Sequence, residues 1–352
     1  MTRLALTERC RDLPPACFAP VMATGIVARA LNEAHAVTVA EALLITAASL
    51  HTVLLAGLTV KAVRHSAHLM AELRDPTRLF GHFTLVAACG VLATRLGTGP
   101  LRAVAYGLVS LAATTWVVFM AYACAGLRRA FRPALRHADG TWFLAAVGLQ
   151  SISLALTALG PRPLQIAVAF ALWTGGVFLY LATLAVVAWR LWCHPPGPHL
   201  LTPAYWVTMG AAAISTLSGT QLAAHGEALP GSAARLVTST VSALWCWATL
   251  LIPPLTAAGV WRHLRHRVRA GHELALWCVV FPLGMYATAT ARLAEVEGIT
   301  VLSAAVPPLA WTAATAWTAV TACRLRTRHH AGRARRGDGS VRTAPELQRH
   351  TG

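Results

Sequence analysis

Basic residues recur near one end of five short apolar segments, at spacings of 66, 67, 63 and 67 residues: Arg29, Arg95, Arg162, His225 and Arg292. If the segments form a ring of helices, these groups surround one mouth and concentrate anions there. A basic residue at a helix C-terminus also complements the helix dipole and reaches the membrane interface. The pattern therefore favours anion attraction at the outer mouth, alongside an ordinary role at helix ends.

The acidic residues indicate which kinds of transport to exclude. All 13 lie in loops, tails or the edges of apolar segments, as with Glu33, Glu41 and Glu295. Proton pumps and cation channels usually place a carboxylate at membrane depth or around the pore. We therefore expect the substrate to be a small anion or a neutral solute.

Residues that weaken helices lie near the middle of the short segments, and small hydroxyl side chains lie close to them. Breaks at membrane depth are tolerated where the freed backbone lines a cavity, and broken helices often present backbone dipoles to a solute. Glycine alone is also typical of close helix packing. The pattern predicts a pore-lining set of Pro20, Thr24, Gly25, Gly90, Gly148, Ser151, Gly210, Ser215, Gly284 and Thr288.

No motif in the chain indicates catalysis. The eight cysteines include no C-x-x-C pair, and the intramembrane histidines His51 and His82 have no metal-ligand spacing around them. A nucleophile elbow, a phosphate loop and paired carboxylates are all missing from the sequence. We expect no enzyme activity, no catalytic residue, no metal and no cofactor.

Ten apolar segments alternate between short and long, and the short ones begin about every 63 residues. About 20 apolar residues cross a bilayer as a helix, and a fixed period indicates a repeated unit. The prediction is an all-α integral membrane protein whose ten transmembrane helices form five helical hairpins around a central pore. The predicted spans are 16–33, 38–61, 79–96, 101–127, 142–160, 164–192, 204–224, 235–261, 273–294 and 301–324.

The charge distribution predicts the orientation in the membrane. Of 30 Lys and Arg residues, 24 lie in the two terminal segments and four alternate connections, and only 12% of the chain is charged. This positive-inside bias places both termini in the cytoplasm of a multi-pass protein of the inner cell membrane. The bilayer is the expected partner and nucleic acid is not. The predicted parts are a cytoplasmic segment 1–15, a membrane domain 16–325 and a basic, disordered tail 326–352.

Four local sequences resemble the tellurite-resistance/dicarboxylate transporter family, which includes the plant slow-type anion channels. They are Phe18 with Val21–Ile26, Trp142-Phe143 with Val147–Gln150, Pro203–Gly210, and Phe281–Gly284. Together with the ten-span layout, the resemblance covers residues 15 to about 325. Two departures are Ala23, where the family usually has Gly, and Leu276-Trp277, where it usually has a tryptophan pair.

The resemblance implies odd-numbered helices around a pore, even-numbered helices outside, and a homotrimer with one pore per subunit. It also implies that Phe281, beside the kink-forming Pro282, plugs the pore as a gate. Family members move malate and other C4-dicarboxylates, sulfite, chloride or nitrate, or are named for tellurite resistance. We therefore expect transport of a small anion through a channel gated by phenylalanine.

Three alternatives stay open at the level of sequence. A proton-coupled C4-dicarboxylate carrier would use a histidine such as His82 as its titrating group. A membrane-embedded redox protein would use histidines as ligands. A sensor or scaffold that transports nothing would act through the basic tail 326–352.

Overall fold

The computed structural model describes residues 3–97, 99–194, 197, 201–228, 231–265 and 275–341, with side chains for all of these except 3–6, 228, 263 and 328–341. Every regular element in this part of the chain is helical. Short 3₁₀ helices lie at Phe80–His82, Gly140–Trp142, Pro203–Tyr205 and Gly226–Ala228. In chain order the α-helices are α1 (Arg3–Arg11), α2 (Ala19–Glu33), α3 (Val37–Arg64), α4 (Ser66–Arg74), α5 (Pro76–Leu79), α6 (Phe83–Leu96), α7 (Arg102–Arg129), α8 (Phe131–Arg136), α9 (Phe143–Ala158), α10 (Pro163–Cys193), α11 (Trp206–Ala223), α12 (Gly231–Leu264), α13 (Trp277–Glu297) and α14 (Thr300–Val341).

The longer helices follow the predicted spans closely. The short helices α2, α6, α9, α11 and α13 alternate with the long helices α3, α7, α10, α12 and α14, and α7, for example, occupies the predicted span 101–127. The backbone of α14 continues to Val341, so residues 326–341 are helical where the sequence predicts a disordered tail. Residues 342–352 of that predicted tail lie outside the described residues.

Two aspartates shape the turns that lead into short helices. The Asp75 carboxylate accepts hydrogen bonds from the backbone N–H and the hydroxyl of Thr77, at 2.9 and 2.7 Å. Asp139 accepts the same pair of bonds from Thr141, at 2.9 and 2.6 Å. Each side chain satisfies a backbone donor that the start of the helix leaves free. At the other end of α13, Gly298 has φ +67°, the left-handed conformation that glycine adopts readily.

Six stretches in the described residues are long and apolar enough to cross a membrane: Val37–Arg64, Pro76–Leu96, Arg102–Arg129, Gly140–Ala158, Pro163–Cys193 and Gly231–Arg262. In the two stretches that contain short helices, 83% of the most apolar window is buried, against 17–28% in the four long ones. The long helices therefore expose large apolar side chains, such as Phe178 and Leu250. An apolar surface of this extent requires lipid or another apolar partner rather than water.

The five short helices form a closed ring. α2 packs against α6, α6 against α9, α9 against α11, α11 against α13, and α13 against α2. Each long helix packs on the short helix that precedes it and also contacts the next short helix in the ring. The long helices thus form an outer layer supported by the ring, and the ring helices are buried on nearly all of their faces.

Glycines allow the ring helices to approach one another closely. A Cβ placed on Gly90 of α6 would lie 2.6 Å from the Cβ of Ser151 on α9. A Cβ on Gly210 of α11 would lie 2.8 Å from the Pro282 ring of α13, and one on Gly25 would lie 2.8 Å from a methyl group of Val91. Interfaces with small residues are typical of membrane helices, because packing rather than the hydrophobic effect holds such helices together.

Neither predicted proline break interrupts a helix. Pro20 lies in the first turn of α2, where the missing N–H would have no intrahelical partner anyway, so it starts the helix. Pro282 lies inside α13, which continues through it from Trp277 to Glu297. Pro282 removes one helical hydrogen bond but leaves the helix intact, and its ring fills the space beside Gly210.

We predict that Gly90→Ala destabilises the protein by about 1–3 kcal/mol, the usual effect of overpacking. The added methyl would press on the side chain and the backbone of Ser151, which lie within 2.8 Å of it. Gly107→Ala on α7 is the matched control, because nothing lies within 4 Å of its added Cβ. Thermal unfolding in detergent should show a lower midpoint for Gly90→Ala alone, and equal midpoints for the two variants would contradict the close contact.

Candidate functional site

Three of the five predicted outer-mouth residues lie together at one end of the ring. Arg29 of α2 and Arg292 of α13 share the Glu33 carboxylate, at 3.8 and 3.6 Å. Arg95, near the end of the neighbouring helix α6, pairs with Glu41 at 3.3 Å. The ion pairs therefore offset much of the positive potential that the sequence predicts at this mouth.

The other two predicted mouth residues do not join this group in the described contacts. Arg162 immediately precedes α10 and is exposed. His225 follows α11, and its Nδ1 lies 2.8 Å from the Gln221 carbonyl oxygen of its own helix end. The structure therefore brings together three members of the predicted five-residue ring and leaves two apart.

Arg29 differs from the other arginines at this mouth. Its guanidinium is buried, with only 8% of the residue exposed, and it makes no hydrogen bond within the described residues. The nearest carboxylate, Glu33, is 3.8 Å away, beyond hydrogen-bonding distance. A buried cation with free donors is a strong site for an anion, because the low surrounding dielectric screens its charge little.

The four predicted pore-lining hydroxyls all bond to backbone carbonyls. Ser151, Ser215 and Thr288 donate to carbonyl oxygens one turn earlier, at 2.7–2.9 Å. Thr24 donates to the Pro20 carbonyl and accepts a hydrogen bond from the Trp317 indole of α14. The Thr24 hydroxyl thus joins the ring to the outer layer. Each hydroxyl hydrogen is engaged within the protein, which leaves oxygen lone pairs but no free donor.

The predicted glycines lie at contacts between helices. Gly25, Gly90, Gly210 and Gly284 each face a neighbouring ring helix, and Gly148 faces both α6 and α7. These contacts assign the glycines a packing role. Their predicted role in lining a pore stays a prediction.

Phe281 is completely buried in the main apolar core. It lies in the second turn of α13, one residue before Pro282. The neighbouring proline ring is wedged against α11 at Gly210, which fixes this part of α13 within the ring. The backbone that carries Phe281 is therefore held on a rigid element of the ring.

A buried cluster centred on Glu72 lies at the opposite end of the bundle from Arg29. Lys61, the only lysine in the chain, donates from Nζ to a Glu72 carboxylate oxygen and to the Leu13 carbonyl, both at 2.7 Å. Arg78 lies 3.3 Å from the other carboxylate oxygen, and His82 lies 3.6 Å from the first. Lys61 and Glu72 are each only 1% exposed. Removing one partner would leave the other charge buried and unpaired.

Sequence reasoning missed this cluster. Lys61 and Glu72 are 11 residues apart, on α3 and α4, and the helices meet only because the chain turns at His65. The available signal was the single lysine of an arginine-rich chain at the end of a span, followed by a glutamate in a basic connection. Burial by itself raises the pKa of the Glu72 carboxyl, but the contacts with His82 and Lys61 reverse this and lower the pKa to about 2.

A cleft of about 380 Å³ also lies at this end, beside the turns that lead into α6, α9 and α11. Its lining includes the basic residues Arg136, His137 and Arg190 and the acid Asp139. Arg190 is buried and donates to the Ala138 carbonyl at 2.8 Å and to the Tyr205 hydroxyl at 2.7 Å. Basic groups therefore lie at both ends of the ring.

The intramembrane histidines do not assemble a metal centre. His51 is buried against the Phe18 ring, and its Nε2 lies 3.8 Å from the Cys89 sulfur. The described residues contain no group of three or more His, Cys, Asp or Glu side chains placed to hold a metal ion.

We predict that Glu72→Gln destabilises the protein by roughly 3–5 kcal/mol, because Lys61 would stay buried without its counter-charge. Glu41→Gln is the control: it removes a partly exposed pair with Arg95, and pairs near the surface contribute about 0–1 kcal/mol. Unfolding in detergent measures both, and equal effects would contradict the structural importance of the cluster.

The same cluster predicts an acid dependence. The pKa of Glu72 falls from its ordinary 4.5 to about 2, so its contribution to stability is complete above pH 4.5 and disappears as the pH drops through 2. The unfolding midpoint of the wild-type protein should fall across that window more steeply than that of Glu72→Gln. Parallel pH profiles would contradict the assignment.

Comparison with known proteins gives one family. The family model described as SLAC1, voltage-dependent anion channel, matches residues 12–325. An uncharacterized membrane protein of Mycobacterium tuberculosis is 38% identical over 143 residues, which is 40% of this chain and 73% of that protein. An uncharacterized transporter of Methanocaldococcus jannaschii is 24% identical over 177 residues, 48% of this chain and 50% of that protein. A second transporter of the same archaeon is 25% identical over 161 residues, 43% of this chain and 44% of that protein.

Proposed function

The chain belongs to the voltage-dependent anion channel (SLAC1) family, and on that premise we propose that it moves small anions across the membrane along the axis of the five-helix ring. The observation that carries the proposal is the buried guanidinium of Arg29, which makes no hydrogen bond in the described residues and lies near the end of the first ring helix. An anion entering the ring would meet a guanidinium there whose charge Glu33 offsets only in part, because Arg292 shares that carboxylate and its nearest oxygen is 3.8 Å from Arg29.

The proposed path needs no fixed charge at mid-membrane. The sequence has no acid at the centre of a predicted span, and the two basic regions lie at the opposite ends of the ring. Basic groups at each mouth would attract an anion, and no charge at the centre would hold it. Passage is favoured because binding at each mouth stays weak enough for release. The predicted pore-lining set would add no charge along this path, and its four hydroxyl hydrogens already bond to backbone carbonyls.

The proposed topology is ten spans in five hairpins, with both termini in the cytoplasm. The excess of arginine at the Glu72 end of the bundle supports this orientation, since basic residues favour the cytoplasmic side. Arg29 then lies at the external mouth of a protein of the inner membrane. By resemblance to the family, the protein would assemble as a homotrimer with one pore per subunit.

Phe281 is the proposed gate. Its complete burial on a ring helix supports a plug of the axis, and the packing of Pro282 against Gly210 fixes the backbone, so opening would come from movement of the Phe281 side chain. The substrate class is a small anion, either a C4-dicarboxylate, sulfite, a tellurite-type oxyanion or an inorganic anion such as chloride.

A proton-coupled carrier is the second candidate, and one observation favours it. His82 is 5% exposed, immediately precedes the ring helix α6 and lies 3.6 Å from the Glu72 carboxylate, where a proton added to its ring would change the charge of a buried cluster. Anion uptake that follows an imposed pH gradient would select this mechanism. Uptake that does not change with the pH gradient would exclude the carrier and support the channel mechanism.

We predict that Phe281→Ala raises anion flux in proteoliposomes at least tenfold, which corresponds to lowering the barrier by about 1.4 kcal/mol. Phe178→Ala on α10 is the matched control, since that ring lies 74% exposed on the outer surface. Chloride, nitrate, sulfite, malate and succinate would be compared. Unchanged flux in a correctly folded Phe281→Ala protein would overturn the gate.

We predict that Arg29→Gln raises the anion concentration needed for half-maximal flux about tenfold, because the variant removes the buried charge that attracts the anion. Arg162→Gln is the control, as that exposed residue lies outside the arginine group and salt screens its charge. Concentration curves in proteoliposomes measure both variants. Equal curves for wild type and Arg29→Gln would exclude Arg29 as the entry site.

A further inference from the structure

A second cleft opens sideways in the outer layer, between the C-terminal halves of α10 and α12. It has a volume of about 300 Å³, and its walls are mostly apolar, with Leu191 on α10 and Leu251 and Leu255 on α12. The starts of α11 and α13 close its inner side. From Leu251 to Arg262 the wall of α12 extends about 17 Å, at 1.5 Å per residue.

One charged side chain, Arg262, lies at the end of this apolar slot. Arg262 lines the cleft and is 93% buried, with 7% of the residue exposed. Its Nε has no hydrogen-bond partner, and no carboxylate lies within 4 Å of it in the described part of the chain. Burying a guanidinium away from a carboxylate is costly, and among the described residues none lies beside Arg262, so an anionic group that arrives from outside would stabilise the cleft.

The surroundings of the cleft indicate where that group comes from. The neighbouring outer faces are apolar, and Leu250 and Trp192 beside the cleft are strongly exposed. Arg262 lies in the last turn of α12, at the end of the bundle where basic residues concentrate and where a membrane span meets the headgroup region. An apolar slot inside the bilayer with a cation at its interfacial end matches a phospholipid.

We propose that this cleft binds one anionic phospholipid of the cytoplasmic leaflet, with its phosphate on Arg262 and an acyl chain along Leu255 and Leu251. The proposal rests on the membrane orientation given above and not on anion transport. Phosphate and guanidinium form charge-assisted hydrogen bonds, and basic pockets on the cytoplasmic side attract anionic lipids. The site would fix a lipid at the junction of α10 and α12, which have no extensive contact with each other.

A second copy of the chain fits the cleft less well. Among the described side chains of the five long helices, Glu41 is the only acid. It lies at the start of α3, the opposite end of the bundle from Arg262. The outer face of another copy would therefore bring no carboxylate to the guanidinium at this depth.

The test is retention of dioleoylphosphatidylglycerol by the purified protein in native mass spectrometry. We expect wild type to keep one bound lipid and Arg262→Gln to keep at least tenfold less. Arg265→Gln is the matched control, because it removes the same charge three residues later from an exposed position and should behave as wild type. Equal loss in both variants, or equal retention of the zwitterionic dioleoylphosphatidylcholine by wild type, would overturn the proposal.

A second variant distinguishes loss of the lipid site from loss of folding. Leu255→Trp fills the slot while keeping Arg262, and should also release the lipid without lowering helical content. If Leu255→Trp releases the lipid but Arg262→Gln does not, the phosphate assignment is wrong.

Other occupants of the cleft would give different results. If inorganic phosphate displaces the lipid as effectively as phosphatidylglycerol does, the cleft is a phosphate site and not a lipid site. A changed oligomeric state in either variant would assign the cleft to a second copy. Anion flux is measured on the same samples, so a failure of the lipid proposal can be distinguished from a failure of the transport proposal.

Discussion

Close contact between the five short helices is the constraint on which the rest of the structure depends. The ring closes because positions such as Gly90 and Gly210 have no side chain where Ser151 and Pro282 approach. Inside a membrane the hydrophobic effect does not drive helices together, so van der Waals contact from close packing must supply the attraction. Each long helix then packs against two neighbouring ring helices, and its outer face stays free to contact lipid.

Buried charges lie at the two ends of this ring, and the two ends differ in how completely those charges are paired. Around Glu72 the charges neutralise one another and bind α3 and α4 to the start of α6, so they stabilise the protein. At the other end Arg29 is buried without a hydrogen bond in the described residues, which sacrifices stability at a point where an anion could restore it. Features that destabilise locally while pre-forming an interaction are typical of functional sites.

The sequence predicts the helices well because the signals involved are local. Apolar length and the positive-inside bias are read over about 20 residues, and predicted spans such as 101–127 agree with helices such as α7 to within two residues. The residue roles depend on partners far along the chain. Thr24 accepts a hydrogen bond from Trp317, 293 residues away, and Lys61 meets Glu72 only after a turn between helices. No periodicity in the sequence encodes such contacts.

Proline shows why the boundary of a helix matters as much as its existence. The predicted span 16–33 makes Pro20 an interior break, but α2 begins at Ala19, so the same residue becomes a helix start. A shift of three residues reverses its meaning, and helix ends are the least certain part of any sequence pattern. Pro282 is interior by either boundary, and its effect is absorbed by the neighbouring helix at Gly210.

The most direct test of an anion path along the ring is the sign of the membrane potential that the protein generates from a salt gradient. Liposomes holding Phe281→Ala protein would carry tenfold more potassium chloride inside than outside. An anion path predicts an interior that becomes positive, towards a limit of about 59 mV, as chloride leaves. An interior that becomes negative would indicate a cation path. No potential from a correctly folded protein, with the potassium salts of chloride, nitrate, sulfite, malate and succinate tried in turn, would contradict an anion path along the ring.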